Sequence, residues 1–240
     1  MTFVAVNGWQ WIDYDIVNST NDEAKKLILE NSQIVVTAKK QTSGRGRMGH
    51  KWIGLDGNLF MSLGLNWNSN NTNILSLISS LAILNTIKGY ASNLKPMLKW
   101  PNDVLINKCK ISGILIETVA LSKVIIGIGV NICASPILDD TSPYCATSLK
   151  EQGINVDRIE FMQTYLKTFT EIMTIYQREG TQKIIDLWSA NTHKVGQEIT
   201  IKGAKTQICG KFMGLDKQGL LLLKTHDNDI KTISAGDIYF

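Results

Sequence analysis

The residues best suited to chemistry lie in one stretch. Gly44-Arg45-Gly46-Arg47-Met48-Gly49 sets two arginines among three glycines. Glycine lets the backbone approach a ligand closely and adopt φ > 0, and an arginine guanidinium is a planar fork matched to phosphate oxygens. Together they predict a phosphate-binding loop that orders on its ligand; the bland alternative is a flexible basic surface turn. Residues 39–51 hold Lys39, Lys40, Arg45, Arg47 and Lys51 and no acid, in a chain with 25 Lys+Arg, 21 Asp+Glu and a net charge of +4. The basic excess therefore belongs to this loop. The string also matches G-x-G-x-x-G, but a dinucleotide fold needs that motif to open a helix, with an acid about 20 residues on. Here the loop runs into Trp52, Gly54 and Gly57 and then a strand, and residues 66–73 hold no acid. No G-x-x-x-x-G-K-[ST] occurs either.

Elements must hold this loop in place. The pattern predicts a strand over 11–17, then a helix opened by a Thr20/Glu23 capping box, then a buried strand over 34–38. Residues 40–58 read as a long loop, 59–65 as a strand, and 74–91 as a helix with apolar residues at helical spacing. Residues 96–100 read as a strand closed by the turn Pro101-Asn102-Asp103, with tightly connected strands over 104–106, 111–117 and 124–132. Such short connections imply antiparallel neighbours. A long amphipathic helix over 157–176 and a shorter one over 181–190 follow, and residues 195–240 read as a small β-barrel. The fold expected is α+β, a mostly antiparallel sheet with helices on one face, divided as 1–192 and 193–240.

The chain has 240 residues, 44% hydrophobic and 19% charged, which excludes a disordered protein. The start lacks a secretory pattern and no apolar run approaches the roughly 18 residues of a membrane span. Cys109, Cys133, Cys145 and Cys209 form no CxxC pair and are expected as reduced, buried thiols of a cytoplasmic protein. His50, His193 and His226 lack metal-ligand spacing, so no protein-only metal site is expected.

Five stretches in order give a specific resemblance: Ser19-Thr20-Asn21; Gln41 with Gly44-Arg45-Gly46-Arg47 and Trp52; Lys99-Trp100-Pro101-Asn102-Asp103-Val104; Lys110-Ile111-Ser112-Gly113-Ile114-Leu115-Ile116-Glu117; and Gly127-Ile128-Gly129-Val130-Asn131-Ile132. With Ala146-Thr147-Ser148-Leu149 and the closing β segment, the chain resembles the biotin–protein ligase family from about Trp11 to its end. That family has a class II synthetase-like catalytic domain with an SH3-like C-terminal barrel. The resemblance implies ATP, Mg²⁺ and biotin: biotin is activated as biotinyl-5′-AMP and then transferred to a lysine of a biotin carboxyl carrier protein.

Residue by residue, the resemblance assigns Ser19, Thr20, Asn21, Gln41, Arg45, Gly46, Arg47, Lys110 and Gly113 to biotin, and Arg45, Arg47, His50, Trp52, Lys99, Asn102, Lys110, Val130 and Asn131 to ATP and the adenylate. Lys110, Arg47 and Asp103 are the implied catalytic residues. The chemistry fits, because two anions must meet and fixed cations stabilise the charge that develops there. Trp100 is equally readable as a core aromatic, Asp103 as a turn residue, and Thr20 as a helix cap. His50 departs from the family, whose loop usually has arginine at that position.

Lipoate and octanoyl transferases share the implied catalytic fold, but the Gly-Arg-Gly-Arg loop and the Lys-Trp-Pro-Asn-Asp turn favour biotin. A biotin sensor without activity would not need Lys110, Arg45 and Arg47. Only ten residues precede the first matching strand, so no helix-turn-helix and no specific DNA binding are expected. A homodimer that extends the sheet across subunits, with the 124–132 strand region as the joining element, stays open.

Overall fold

A computed structural model describes residues 3–69, 71–138, 145–203 and 207–239. β1 (Val4–Val6) and β2 (Trp9–Val17) form a hairpin on Asn7-Gly8, whose φ values of 49° and 82° suit the two-residue turn that this dipeptide favours. α1 (Thr20–Ile28) then crosses to β3 (Gln33–Gln41), which lies parallel to β2. The remaining pairs of the sheet are antiparallel. They involve β4 (Leu59–Asn66), β5 (Met97–Lys99), β6 (Asp103–Ile106), β7 (Cys109–Ala120) and β8 (Lys123–Val130), in the order β1-β2-β3-β4-β8-β7-β6-β5. β8 has ladder partners on both sides, β4 and β7. Its backbone groups are spent, so the 124–132 region offers no edge to a second subunit. The edges are β1 and β5.

The two long helices share one face of the sheet. α2 (Asn73–Tyr90) is buried almost all round, as a helix apolar on every side must be. It packs beside α3 (Arg158–Ser189), α2 over β5, β6 and β7 and α3 over β4. Asp157 caps α3 by accepting from the Ile159 and Glu160 amides at 2.7 and 3.4 Å. Gly180, at φ 77°, separates its two helical segments where two helices are expected. α1 packs on the other face, where Ile12, Ala24, Ile28, Ile34, Val36 and Ile125 form a second core.

Thr20 is not the helix cap. Ser19 occupies that position, and the Thr20 hydroxyl turns to Gln41 instead. The cysteines also differ from expectation. Cys109 and Cys145 form a disulfide, while Cys133 and Cys209 are exposed thiols. Lys110 pairs with Ala146 in an isolated parallel bridge, which sets the two preceding Cα atoms 4.6 Å apart. A tertiary pairing 36 residues apart leaves no trace in Cys spacing.

The C-terminal sheet comprises β9 (Glu198–Lys202), β10 (Gln207–Leu215), β11 (Leu221–Lys224), β12 (Ile230–Ile233) and β13 (Asp237–Tyr239), in the order β12-β11-β10-β9-β13. Its Ile199, Ile201, Phe212, Leu221, Leu223 and Ile238 join the main core. Trp100, 3% exposed, anchors the contact by donating from Nε1 to the Gly219 carbonyl at 3.1 Å. Trp100 is thus a core aromatic.

His193 sits at this junction. Burial, with Lys99 as a neighbouring charge, lowers its pKa from 6.5 to about 4. The unfolded chain therefore takes up this proton first as pH falls. The contribution to stability is intact above about pH 6.5 and is lost progressively towards about pH 4. His193→Gln should flatten that part of the acid-side loss, read as urea midpoints between about pH 7 and pH 4.5.

Candidate active site

One cavity of about 320 Å³ opens above the middle of the large sheet. Its polar wall is the start of α1 with the end of β3. Ser19, Thr20 and Asn21 are 3–4% exposed. Gln41 Oε1 accepts from the Thr20 amide at 2.8 Å and the Thr20 hydroxyl at 3.1 Å. Ser62, buried beneath, places Oγ 2.8 Å from Thr20 Oγ1 and 2.5 Å from Asn21 Oδ1.

The floor consists of Gly113 on β7 with Gly127 and Gly129 on β8. The absent side chains make the room: a Cβ at Gly127 would collide with the Asn21 amide, and one at Gly129 with the Trp52 indole. The roof is the glycine–arginine loop. It folds back on itself through an Arg45–Lys51 bridge, Gly46 N–H to His50 carbonyl at 2.7 Å, and Trp52 N–H to Gly44 carbonyl at 3.0 Å. The tip turns through Met48 and Gly49, at φ 51° and 80°.

The loop's charges are individually held. Arg45 makes a two-pronged contact with Asp22, at 2.9 and 2.6 Å, which lowers the Asp22 pKa chiefly through those hydrogen bonds. Arg47 reaches Asn102 Oδ1 at 3.4 Å. Burial pushes its pKa down while Asp237 and Asp103 oppose the shift, and a guanidinium stays charged regardless. His50 Nε2 lies 3.7 Å from Asp237 Oδ2 on β13. Lys110 Nζ pairs with Asp103 Oδ1 at 2.6 Å and lies 5.6 Å from the Trp52 ring centre. The Lys110 backbone is fixed on both sides: its N–H donates to Cys145 and its carbonyl accepts from Thr147.

The structure thus brings Ser19, Thr20, Asn21, Gln41, Arg45, Gly46, Arg47, His50, Trp52, Asn102, Asp103, Lys110, Gly113 and Asn131 to one cavity. Lys99 and Val130 are not in its wall. Val130 is buried in the core beneath the floor. Lys99 is buried with its ammonium 5.9 Å from the Tyr239 ring centre, and burial lowers its pKa.

Sequence reasoning missed three contributions. Asp237 and Tyr239 line the cavity from the C-terminal sheet; only the fold brings them there. Asn58, 0% exposed, accepts the amides of Ile132, Cys133 and Ala134 at 3.0, 3.0 and 3.2 Å and so shapes the exit of β8 behind Asn131. Its signal, an asparagine between a glycine loop and an apolar strand, resembles any turn residue.

A neutral polar pocket, a Lys–Asp pair beside it and an arginine-bearing roof define a ligase of the acid-activating class. Comparisons with known proteins give the family. Residues 14–131 match the biotin/lipoate A/B protein ligase family and residues 194–240 the biotin protein ligase C terminal domain. The chain is 35% identical to the bifunctional ligase/repressor BirA of Bacillus subtilis, over 97% of this chain and 74% of that one. It is 31% identical to the biotin--[acetyl-CoA-carboxylase] ligase of Paracoccus denitrificans, over 93% and 97%. Among solved structures, biotin protein ligase from Aquifex aeolicus in complex with biotin and ATP superposes with a TM-score of 0.82 at 29% identity, covering 95% and 97%. The chain belongs to the biotin protein ligase family.

Gly129→Ala should displace the Trp52 indole and disorder the roof without disturbing the core. The expected result is a fall of about 10²-fold in adenylate formation, with the melting temperature nearly unchanged, read by pyrophosphate release and calorimetry.

Proposed function

We infer that this protein activates biotin with ATP and transfers it to a lysine of a biotin carboxyl carrier protein. The observation that carries this reading is the junction of two unlike environments at Lys110. On one side lies a neutral polar wall; on the other lie Arg47, Asn102 and the roof. Biotin's ureido ring has N–H and C=O groups that need matched acceptors and donors, and the wall of Ser19, Thr20, Asn21 and Gln41 supplies both. The biotin carboxylate then extends over the glycine floor towards Lys110.

There a carboxylate oxygen attacks the α-phosphorus of ATP and pyrophosphate leaves with the P–O bonding electrons. Lys110 is the cation nearest the reacting centre. Asp103 fixes its position at 2.6 Å, so little reorganisation accompanies the development of charge. Arg47 is the second catalytic cation, with Asn102 orienting it. Arg45, Gly46, His50 and Trp52 close over the adenylate and exclude water, which would otherwise hydrolyse the mixed anhydride. Trp52 Nε1 is buried without a hydrogen-bond partner among the described residues, which leaves a donor for the ligand. The acceptor lysine's neutral amine attacks the biotinyl carbonyl carbon, forms the amide, loses a proton and expels AMP.

Mg²⁺ accompanies the triphosphate. It favours oxygen ligands and keeps several waters and substrate phosphates, so a full protein cage is unnecessary. Asp237 and Asp103 are carboxylates on the cavity wall and fit that donor chemistry. Val130 acts from beneath the floor, while Lys99, opposite Asp103 in the ladder and beside the Tyr239 ring, adds positive charge next to the nucleotide side without lining it. The division at 192/193 separates a catalytic unit from a barrel that supplies Asp237 and Tyr239 to the cavity. No helix among the described residues is long and apolar enough to cross a membrane; the cytoplasmic setting is part of the proposal and rests on the carrier as acceptor.

The test is mass spectrometry of a carrier domain incubated with the protein, biotin, ATP and Mg²⁺. One biotinyl group should appear on one lysine, and lipoate should not substitute. Lys110→Ala should lower adenylation by about 10²-fold or more, equivalent to about 3 kcal/mol. Near-normal pyrophosphate release by that variant would remove Lys110 from its role.

A further inference from the structure

Glu117 lies outside the cavity, yet it touches the residue that organises the polar wall. Its Oε2 accepts from Asn21 Nδ2 at 2.5 Å, and its Oε1 pairs with Lys25 Nζ at 2.7 Å. The side chain is about 25% exposed, held on β7 beneath α1. We propose that Glu117 is a positioning residue that sets the donor–acceptor polarity of the biotin-reading wall; the inference rests on the biotin reading above.

The argument is a proton count. A carboxylate has no proton to give, so Asn21 must present its NH₂ to Glu117. The Asn21 carbonyl oxygen then faces Ser62 at 2.5 Å and can only accept. Ser62 has one hydroxyl proton, and Asn21 takes it. Ser62 cannot then donate across its 2.8 Å contact with Thr20. The Thr20 hydroxyl must spend its own proton inside the wall, on Ser62 or on Gln41 Oε1. Either way its remaining lone-pair capacity is left for the cavity. Gln41 Oε1 is already committed to the Thr20 amide at 2.8 Å, so Gln41 Nε2 remains as a donor. The wall thus offers an acceptor at Thr20 and a donor at Gln41, matching a ureido N–H and C=O.

Without Glu117 the Asn21 amide is free to turn over. Its NH₂ would then donate to Ser62, Ser62 would donate to Thr20, and Thr20 would spend a lone pair within the wall. The same atoms would present a weaker acceptor. The Gly127 floor leaves no slack, because Asn21 already sits where a Cβ would be. Lys25 fixes the other carboxylate oxygen, so Glu117 holds its aim.

Glu117→Gln keeps the shape but presents an amide that either face of Asn21 can satisfy. The KM for biotin should rise about tenfold, with kcat and the KM for ATP within about twofold, because the loss is one of ground-state reading. Discrimination against a biotin analogue in which oxygen replaces one ureido N–H should narrow by a similar factor, because it is the acceptor for that N–H that weakens. Glu117→Asp, which restores a carboxylate, should recover part of both. Ser62→Ala removes the hydroxyl through which the order passes; in that background Glu117→Gln should add no further rise in the biotin KM and no further loss of discrimination. An unchanged biotin KM and unchanged discrimination in Glu117→Gln would overturn the proposal, as would additive losses in the double variant. A wild-type protein that fails to use biotin at all would overturn the underlying functional reading and this inference with it.

Discussion

A carboxylate and a phosphate must come within bonding distance, and both are anions. Every part of the cavity answers that constraint. Cations cannot simply be gathered, because unpaired charges repel one another and are costly to bury. The structure therefore gives each a partner that fixes it: Asp103 for Lys110, Asp22 for Arg45, and Asn102 for Arg47, with Asp103 and Asp237 nearby. Arg47, the most desolvated of the three, has burial lowering its pKa and two carboxylates opposing it. Positive potential is kept at the reacting centre while the net cost of holding it there is limited.

Room for the ligands comes from the sheet. Two paired glycines, Gly113 opposite Gly129, and Gly127 two residues along β8 on the same face leave a strip of backbone without side chains in otherwise apolar strands. The Trp52 indole and the Asn21 amide settle into that strip, and both would collide with a methyl group there, so the missing side chains let these two cavity walls sit low on the sheet. The strands stay regular because the face beneath is packed against α2 and α3. A rigid core on one side thus permits a missing layer of side chains on the other.

Much of this was legible in the residues. The basic excess of 39–51 marks the roof, and the spacing of Ser19 to Asn21, Asn102, Asp103, Lys110 and Gly113 marks residues that do converge. Their chemistry is local to short segments, so local sequence carries it. What could not be read depends on distant pairing. Asp237 and Tyr239 become part of the cavity only because Trp100 and Gly219 lock the C-terminal sheet against the larger one. The Cys109–Cys145 bond needs the Lys110–Ala146 bridge. The capping reading of Thr20 failed for a different reason: Ser19 also satisfies the local pattern, and tertiary contact with Gln41 decides between them. Val130 belongs to the right motif, but strand alternation turns it to the core side; Lys99 shares the face of its ladder partner Asp103 and lies against the Tyr239 ring, short of the cavity itself.

The two ends of the cavity are linked by more than proximity. Asp22 holds Arg45 of the roof and lies 3.7 Å from Lys25. Lys25 holds Glu117, and Glu117 orients Asn21 of the polar wall. All of these except Arg45 and Glu117 sit on the first turns of α1. A shift of α1 by even part of a turn would disturb the reading of one substrate and the anchoring of the loop over the other together. That shared dependence gives a physical reason for building both devices on one short helix. A nine-residue helix has little stability of its own, and its position is set by the core it shares with Ile34, Val36 and Ile125. The apolar packing beneath α1 is therefore what holds the polar wall and the roof in register.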